Sequence, residues 1–136
     1  MDSFDADVLI YAAAPGHELG RRVRALFPEE PGGSAGVGSV LLLPEVLAKP
    51  ARDGTDDELA ALAGLLSRLD LRPVDPLTAE VATTLAIQHR LRVADAVHLA
   101  TAVVAGADRF ITNNRRDFPP HIPEIAVTYP EALPDV

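Results

Sequence analysis

Residues 93–113 read Val-Ala-Asp-Ala-Val-His-Leu-Ala-Thr-Ala-Val-Val-Ala-Gly-Ala-Asp-Arg-Phe-Ile-Thr-Asn. The apolar, alanine-rich first part predicts a helix over 93–105 that is buried on most sides, and Gly106 provides its C-terminal stop. The segment Arg109–Thr112 predicts a short buried strand directly afterwards. Asp95 lies in the first turn of this helix, where burial of an unpaired carboxylate would be expensive. We therefore expect it to be either a helix cap or a ligand.

Short apolar segments alternate with helical patterns through the rest of the chain. Thr55 and Glu58 form a Thr-x-x-Glu capping box, and Asp75-Pro76 places an N-cap before a proline at the first helical position. The other predicted strands are an N-terminal strand that ends near Asp5 and strands over 37–40, 71–74 and 125–129. Of the other predicted helices, one covers 17–27, one starts at about Pro44 and ends at Pro50 to Gly54, one runs from Thr55 to about Leu69, and one runs from Pro76 to about Arg90. A loop is predicted over 28–38.

The strands share one character that decides the fold class. Each is short and apolar rather than alternating, and most are separated by helices, which indicates a parallel sheet covered on both faces. No internal repeat or low-complexity segment divides the chain. We therefore predict an α/β fold, with three layers (α/β/α) and a central parallel sheet, in a single domain over residues 1–136.

The composition favours a soluble, cytoplasmic protein. The 136 residues are 48% hydrophobic and include no cysteine, which excludes disulfides and thiolate chemistry. No apolar segment approaches the roughly 20 residues of a membrane span, so no membrane association is expected. The formal net charge of -8 argues against bulk electrostatic capture of nucleic acid, although it leaves room for local basic surfaces.

Acidic residues follow several of the predicted strands or begin the helices after them. Asp5 and Asp7 follow the first strand, Glu45 and Asp95 lie in first helical turns, and Asp117 follows a late strand. In an open parallel sheet the carboxyl ends of the strands form the ligand-binding edge. Several carboxylates in one small site require raised pKa values or a cation, and an all-oxygen ligand set selects Mg²⁺ or Mn²⁺. Metal-dependent hydrolysis of a phosphodiester is the chemistry that this arrangement suits best.

The chain resembles PIN domains, and within that fold the VapC-type ribonuclease toxins of toxin–antitoxin pairs. The resemblance implies a sheet ordered 3-2-1-4-5, a metal site, cleavage of RNA, a homodimer, and a cognate antitoxin whose segment lies across the acidic site. It spans nearly the whole chain, and its central helix with the segment Gly-Ala-Asp-Arg-Phe-Ile-Thr-Asn is the most specific part. The matching pieces are Asp5 to Ile10, Ser39 to Glu45, Val93 to Ala102, Phe110 to Asn114, and Asp117-Phe118.

Matching positions assign roles to individual residues. Asp5, Glu45 and Asp95 would form the acidic core, and Thr112 would orient a ligand or water through its hydroxyl. The family's fourth acid commonly lies at the position of Asn114, so two alternatives stay open. Asp117 is favoured as an outer or water-mediated metal contact, and Asn114 as a neutral ligand or supporting group. The resemblance makes Asp7 an auxiliary residue.

Three further residues near these motifs have two interpretations each. Arg115 and Arg116 either contact phosphate of the substrate or form an exposed pair on a loop. His98, one turn after Asp95, suggests a catalytic role, but a hydrogen-bonded structural residue is the simpler expectation.

Two other functions compete with a ribonuclease. The segment Asp5 to Val8 also resembles the start of haloacid-dehalogenase-type phosphatases, in which the first aspartate is the nucleophile. That family needs a lysine after its helical region, and the sole lysine, Lys49, comes too early. The non-enzymatic alternative is a PIN-like module that only binds protein, with its metal site weakened by Asn114.

Overall fold

A five-stranded sheet lies at the centre of the molecule, whose computed structural model describes residues 1–30 and 32–136. All neighbouring strands are parallel, in the order β3-β2-β1-β4-β5. This confirms the three-layer α/β class and the predicted strand order. The strands are β1 (Asp2–Phe4), β2 (Gly36–Ser39), β3 (Leu69–Arg72), β4 (Arg109–Ile111) and β5 (Ala126–Thr128).

Six helices accompany the strands, and a short 3₁₀ turn over Pro130–Ala132 follows β5. The helices are α1 (Ala6–Ala13), α2 (Glu18–Arg24), α3 (Leu42–Asp53), α4 (Asp56–Leu66), α5 (Pro76–His89) and α6 (Val93–Val104).

The hydrophobic core consists of two clusters, one on each face of the sheet. Consecutive residues of β4 show the division, because successive side chains of a strand point to opposite faces. Ile111 packs in the cluster that contains Leu9, Leu42 and Leu62 of α1, α3 and α4. Phe110 packs in the other cluster, with residues of α5 and α6. Burial on both faces explains why the strand is continuously apolar.

Two helix predictions are confirmed in detail. The Asp75 side chain accepts a hydrogen bond from the Thr78 amide at 2.8 Å and caps α5, with Pro76 in its first turn. The α6 helix covers Val93–Val104, and Gly106 follows it with a φ of 72°, in the left-handed region that favours glycine.

The capping box predicted for Thr55 and Glu58 is wrong. Thr55 makes no capping hydrogen bond to α4, because its backbone, with a ψ of 78°, lies outside the extended region typical of N-caps; its hydroxyl donates to the Pro50 carbonyl at 3.4 Å. Pro50 itself does not end α3. It lies inside that helix, where it removes only one helical hydrogen bond, and the helix continues to Gly54 with its φ of 72°.

Other differences concern the lengths of elements. Helix α1 has no counterpart among the elements predicted above, which place only the end of the first strand near Asp5. Helix α4 ends at Leu66, so β3 begins at Leu69, two residues before the predicted start. The predicted loop over 28–38 includes Pro31, which lies outside the described residues, and its end belongs to β2.

None of the helices in the described part of the chain has the length and apolar character that a membrane crossing requires.

Candidate active site

The predicted site residues lie at the carboxyl-terminal edge of the sheet. Asp5 directly follows β1, Glu45 lies in the first turn of α3 after β2, and Thr112 directly follows β4. Asp95 comes to the same edge on the first turn of α6. Because the strands are parallel, all of these carboxyl ends point in one direction.

Asp5 is the most deeply buried acid of the group, with 5% of the residue exposed. Its Oδ1 accepts a hydrogen bond from the Ala6 amide at 2.8 Å, which caps α1. Its Oδ2 accepts one from the Thr112 hydroxyl, also at 2.8 Å. Burial raises the pKa of Asp5, while the Thr112 hydrogen bond and the nearby His98 lower it, and Glu45 raises it further. Asp5 is thus a helix cap and a member of the acidic cluster at once.

Asp7 faces the loop that follows β4. Its Oδ2 accepts a hydrogen bond from the Asn113 amide at 3.0 Å, and its Oδ1 is buried with no partner among the described residues. Burial, followed by the charge of Asp5, raises the pKa of Asp7 to about 7. An orphaned carboxylate oxygen beside a second carboxylate is a position where a cation would lower the energy.

Glu45 is paired with a residue of another helix. His98 Nε2 lies 3.0 Å from Glu45 Oε1, and it belongs to a ring that is almost completely buried. The Glu45 side chain is a third exposed, so its other oxygen is free to face solvent.

Asp95 is half-buried, and its electrostatic neighbours show which acids the fold has assembled. Burial raises its pKa, and the charges of Asp5, Asp117 and Glu45 raise it further, against a lowering contribution from His98. Asp5, Glu45 and Asp117 are therefore close enough to Asp95 to oppose its ionisation.

The loop after β4 is organised by its own polar side chains. The Thr112 hydroxyl accepts a hydrogen bond from the Asn114 amide at 3.0 Å while it donates to Asp5. The Asn114 side-chain amide donates to Asp117 Oδ2 at 2.9 Å, and the Asp117 amide donates back to Asn114 Oδ1 at 3.3 Å. Asn114 thus connects Thr112 to Asp117 and fixes that carboxylate beside the cluster.

The two loop arginines differ in their surroundings. The Arg115 guanidinium forms an ion pair with Glu131 and lies over the Tyr129 ring, 4.5 Å from its centroid. Arg116 is exposed, and no ion pair or side-chain hydrogen bond engages it among the described residues. Only Arg116 is therefore free to meet a substrate without first losing a partner.

The cluster has an excess of negative charge. Within residues 1–30 and 32–136, no Arg or Lys forms an ion pair with Asp5, Asp7, Glu45, Asp95 or Asp117. Three of these acids have raised pKa values. An all-oxygen donor set of this kind suits a hard divalent cation. The chemistry of the residues therefore fits a metal, and the orphaned Asp7 Oδ1 agrees with it.

The carboxylates of the acidic cluster accept hydrogen bonds from groups of the protein itself. Among the residues described, no three His, Asp or Glu side chains are grouped so that they could hold a metal ion. Asp5 accepts from Thr112, Asp7 accepts from Asn113 and Glu45 pairs with His98. These three carboxylates therefore point to different partners and not to one common point.

Two contacts at the site were not anticipated from the sequence. Asn113 donates through its backbone to Asp7 and through its side chain to the Tyr11 hydroxyl at 3.3 Å. The partnership of His98 with Glu45 joins residues 53 positions apart. The only signal available was the place of His98 on the helix that carries Asp95.

Arg21, Arg22 and Arg24 of α2 serve a different part of the molecule. Arg24 donates to the Ala12 carbonyl at 2.7 Å, and Arg22 donates to two carbonyls near the C-terminus. Arg21, Arg24 and Arg68 line a groove of about 970 Å³ between α1, α2 and α4, and no residue of the acidic cluster lines it.

Comparison with known proteins gives a match to one family over most of the chain. The family model of the PIN domain matches residues 4–120. No curated protein sequence gives a significant match.

Solved structures with the same fold come from bacterial complexes. A toxin–antitoxin complex from Klebsiella pneumoniae has a TM-score of 0.76 at 24% identity, over 96% of this chain and 98% of the other. DNA-bound VapBC from Salmonella typhimurium has a TM-score of 0.72 at 20% identity, over 95% and 97%. VapBC2 from Rickettsia felis, bound to a promoter DNA fragment, has a TM-score of 0.71 at 15% identity, over 94% and 97%.

Proposed function

The chain belongs to the PIN domain family, and from this premise we propose that it is a metal-dependent endoribonuclease, the toxin of a toxin–antitoxin pair. The observation that carries the proposal is the acidic cluster at the edge of the sheet. Beyond the effect of burial, the charge of Glu45 raises the pKa of Asp5, and the charges of Asp5, Asp117 and Glu45 raise that of Asp95. No Arg or Lys forms an ion pair with these acids among the described residues. A purely structural group of acids would be neutralised by such partners, because unpaired buried carboxylates destabilise a fold.

Asp5, Glu45, Asp95 and Asp117 would hold Mg²⁺ or Mn²⁺, with Asp7 as an auxiliary acid. When bound, such an ion supplies positive charge that offsets the charge developing on a phosphodiester and on the attacking water. Thr112 holds the Asp5 carboxylate in place, and Asn114 does the same for Asp117. These donors restrict the rotation of the acids before a substrate arrives, which lowers the cost of assembling the site.

Substrate binding cannot rely on the overall charge of -8. RNA would have to approach the acidic edge through a local basic group, and the exposed Arg116 on the adjoining loop meets that need. Arg115 contributes less, because Glu131 already neutralises it. Cleavage should therefore weaken as the salt concentration rises.

The antitoxin, the homodimer and the cytoplasmic location are parts of the same proposal. The similar structures include toxin–antitoxin complexes, which supports a protein partner for this chain. A partner segment that lays a cationic side chain across the acidic cluster would satisfy its charge and block it. If the adjacent open reading frame encodes a small antitoxin-like protein, co-expression with it, followed by purification and light scattering, tests the complex and the dimer together.

The enzymatic proposal is tested by cleavage of a single-stranded RNA with Mg²⁺ or Mn²⁺ and with EDTA. Asp5→Asn and Asp95→Asn should each reduce kcat/KM by about a thousandfold, since a ligand charge is lost. Both variants should remain folded, because asparagine also caps helices and the pKa of each aspartate is raised in the fold.

Asp75→Asn provides a matched control. Asp75 also caps a helix by accepting from a backbone amide, but it is not part of the acidic cluster. Its substitution should leave cleavage unchanged. Full activity of both Asp5→Asn and Asp95→Asn would refute the nuclease proposal.

One observation favours a second candidate function. The acids are turned toward internal donors, and no three of the described side chains are grouped for metal binding. A PIN-like module that only binds protein would have this property. Calorimetry with Mn²⁺ beside the RNA assay separates the two functions, because the binding module would give neither heat nor product.

The phosphatase alternative receives no comparable support. Its mechanism needs a lysine near the nucleophilic aspartate, whereas Lys49 is exposed on α3 and forms no hydrogen bond or ion pair with Asp5 in the described structure. Failure to trap an aspartyl-phosphate mimic on Asp5 would exclude it.

A further inference from the structure

We propose that His98 is a positioning residue that holds the Glu45 carboxylate toward the acidic cluster. The inference rests on the proposed function, since it assigns His98 a part in preparing the same metal site.

The contact between His98 and Glu45 joins helices α6 and α3. His98 Nε2 on α6 lies 3.0 Å from Glu45 Oε1 on α3. No second side-chain hydrogen bond or ion pair joins these helices in the described ranges. A glutamate side chain that is one-third exposed would otherwise sample several rotamers. The fixed imidazole therefore determines where this carboxylate points.

The chemistry of the ring gives the contact a direction. A carboxylate oxygen accepts, so Nε2 of His98 carries the hydrogen and donates it. The other ring nitrogen, Nδ1, is buried and has no partner among the described residues. The ring is 2% exposed, and Glu45 is its sole side-chain or backbone hydrogen-bond partner there. If this position served packing alone, an apolar residue would fill it equally well and would leave no unsatisfied nitrogen in the core.

The ring also faces the other acids of the site. His98 lowers the pKa of both Asp5 and Asp95, so it lies within electrostatic reach of each. Residues that donate a hydrogen bond to a metal ligand fix the orientation of that ligand and thereby tune the metal site. The role of His98 is thus to act through Glu45, without contact with the substrate.

The experiment compares replacements that keep or remove the hydrogen bond to Glu45. In His98→Gln the amide nitrogen reaches the position of Nε2, whereas His98→Leu fills the volume without a donor. Mn²⁺ affinity is measured by calorimetry, kcat and KM by cleavage of RNA, and folding by thermal unfolding. His98→Leu should weaken Mn²⁺ binding and lower kcat by about tenfold, with KM unchanged. His98→Gln should bind Mn²⁺ nearly as tightly as the wild type.

A matched control comes from the second His–Glu pair of the chain. His89 Nε2 lies 3.0 Å from Glu124 Oε1, outside the acidic cluster. His89→Leu therefore removes the same kind of contact, and it should leave Mn²⁺ affinity unchanged. In a Glu45→Ala background, His98→Leu should add no further loss, because its effect passes through Glu45.

The outcomes distinguish this inference from the proposed function. If the wild type binds Mn²⁺ and cleaves RNA while folded His98→Leu does so equally well, the positioning role is wrong and the nuclease stands. If the wild type neither binds Mn²⁺ nor cleaves RNA, both proposals fall. Should His98→Leu fail to fold, His98→Asn, whose amide is too short to reach Glu45, takes its place under the same criteria.

Discussion

The aspartates at the two ends of β1 differ in whether a cationic side chain neutralises them. At the start of β1, Asp2 meets Arg109 of β4 in a bidentate ion pair, with contacts of 2.7 and 3.3 Å. Just beyond the other end of β1, Asp5 is buried and accepts hydrogen bonds from Ala6 and Thr112, and no ion pair with it occurs among the described residues. Asp2 raises the pKa of Arg109, whereas burial raises that of Asp5 itself.

This difference separates structural acids from site acids. An aspartate that stabilises the fold has its countercharge built into the chain. Asp5, Asp7 and Asp95 form no ion pair among the described residues, and burial raises the pKa of each, so their ionised forms oppose folding. The missing charge is what a divalent cation, or a basic group of a protein partner, would provide.

The largest effect on stability is expected when Mn²⁺ supplies the missing positive charge. Mn²⁺ at 100 times its Kd should stabilise the wild type by about 2.7 kcal/mol, which corresponds to a rise in Tm of roughly 10 °C. The same addition to Asp5→Asn should give a much smaller rise. Differential scanning calorimetry with and without Mn²⁺ measures both, and equal shifts in the two proteins would mean that the ion binds elsewhere.

Removal of metal by EDTA should expose the pH dependence of the acidic end. The pKa of Asp7 is 3.8 in an ordinary setting and about 7 in the fold, so the folded state favours its neutral form. The contribution of Asp7 to stability is therefore fully favourable below pH 3.8 and is lost as the pH rises toward about 7.

Asp7→Asn should abolish this loss, because its side chain does not titrate. Urea unfolding of the wild type and of Asp7→Asn, below pH 3.8 and above about pH 7, measures the free energy of unfolding and tests whether the wild type loses stability relative to the variant as the pH rises. A wild type that gains stability relative to Asp7→Asn as the pH rises would contradict it.

At the opposite end of the strands, Asp2→Asn should have a moderate effect on stability and none on the site. The ion pair with Arg109 is partly exposed, at 20% and 31% of the two side chains, so its loss should cost about 1 kcal/mol. Cleavage and Mn²⁺ affinity should remain those of the wild type. A fall in either would show that the two ends are not independent.

The smallest expected effect concerns the loop arginines. Arg116→Ala should raise KM for RNA a few-fold, whereas Arg116→Lys should restore most of the binding because the charge is kept. Arg115→Ala should change KM less, since Glu131 and Tyr129 already engage that side chain. Steady-state kinetics at low salt measures these differences, and an unchanged KM would assign Arg116 to the surface.

Local patterns were sufficient for much of the fold. The apolar helix with Asp95, the Asp75 cap and the short buried strands each depend on residues close together in the chain, and the structure contains all of them. Local patterns failed where the backbone conformation of one residue decides whether its side chain can cap. Thr55 has a ψ of 78°, unlike the extended caps Asp5 and Asp75, and its side chain makes no hydrogen bond to α4.

The sequence by itself determined the fold class, the order of the strands through the family resemblance, and which acids come near the edge of the sheet. Only the tertiary structure decided how those acids are held. Thr112 binds Asp5, Asn113 binds Asp7 and His98 binds Glu45, each across more than 50 residues of chain. The physical reason is that a hydrogen bond depends on distances of about 3 Å, which parallel strands and packed helices set and which no local spacing encodes.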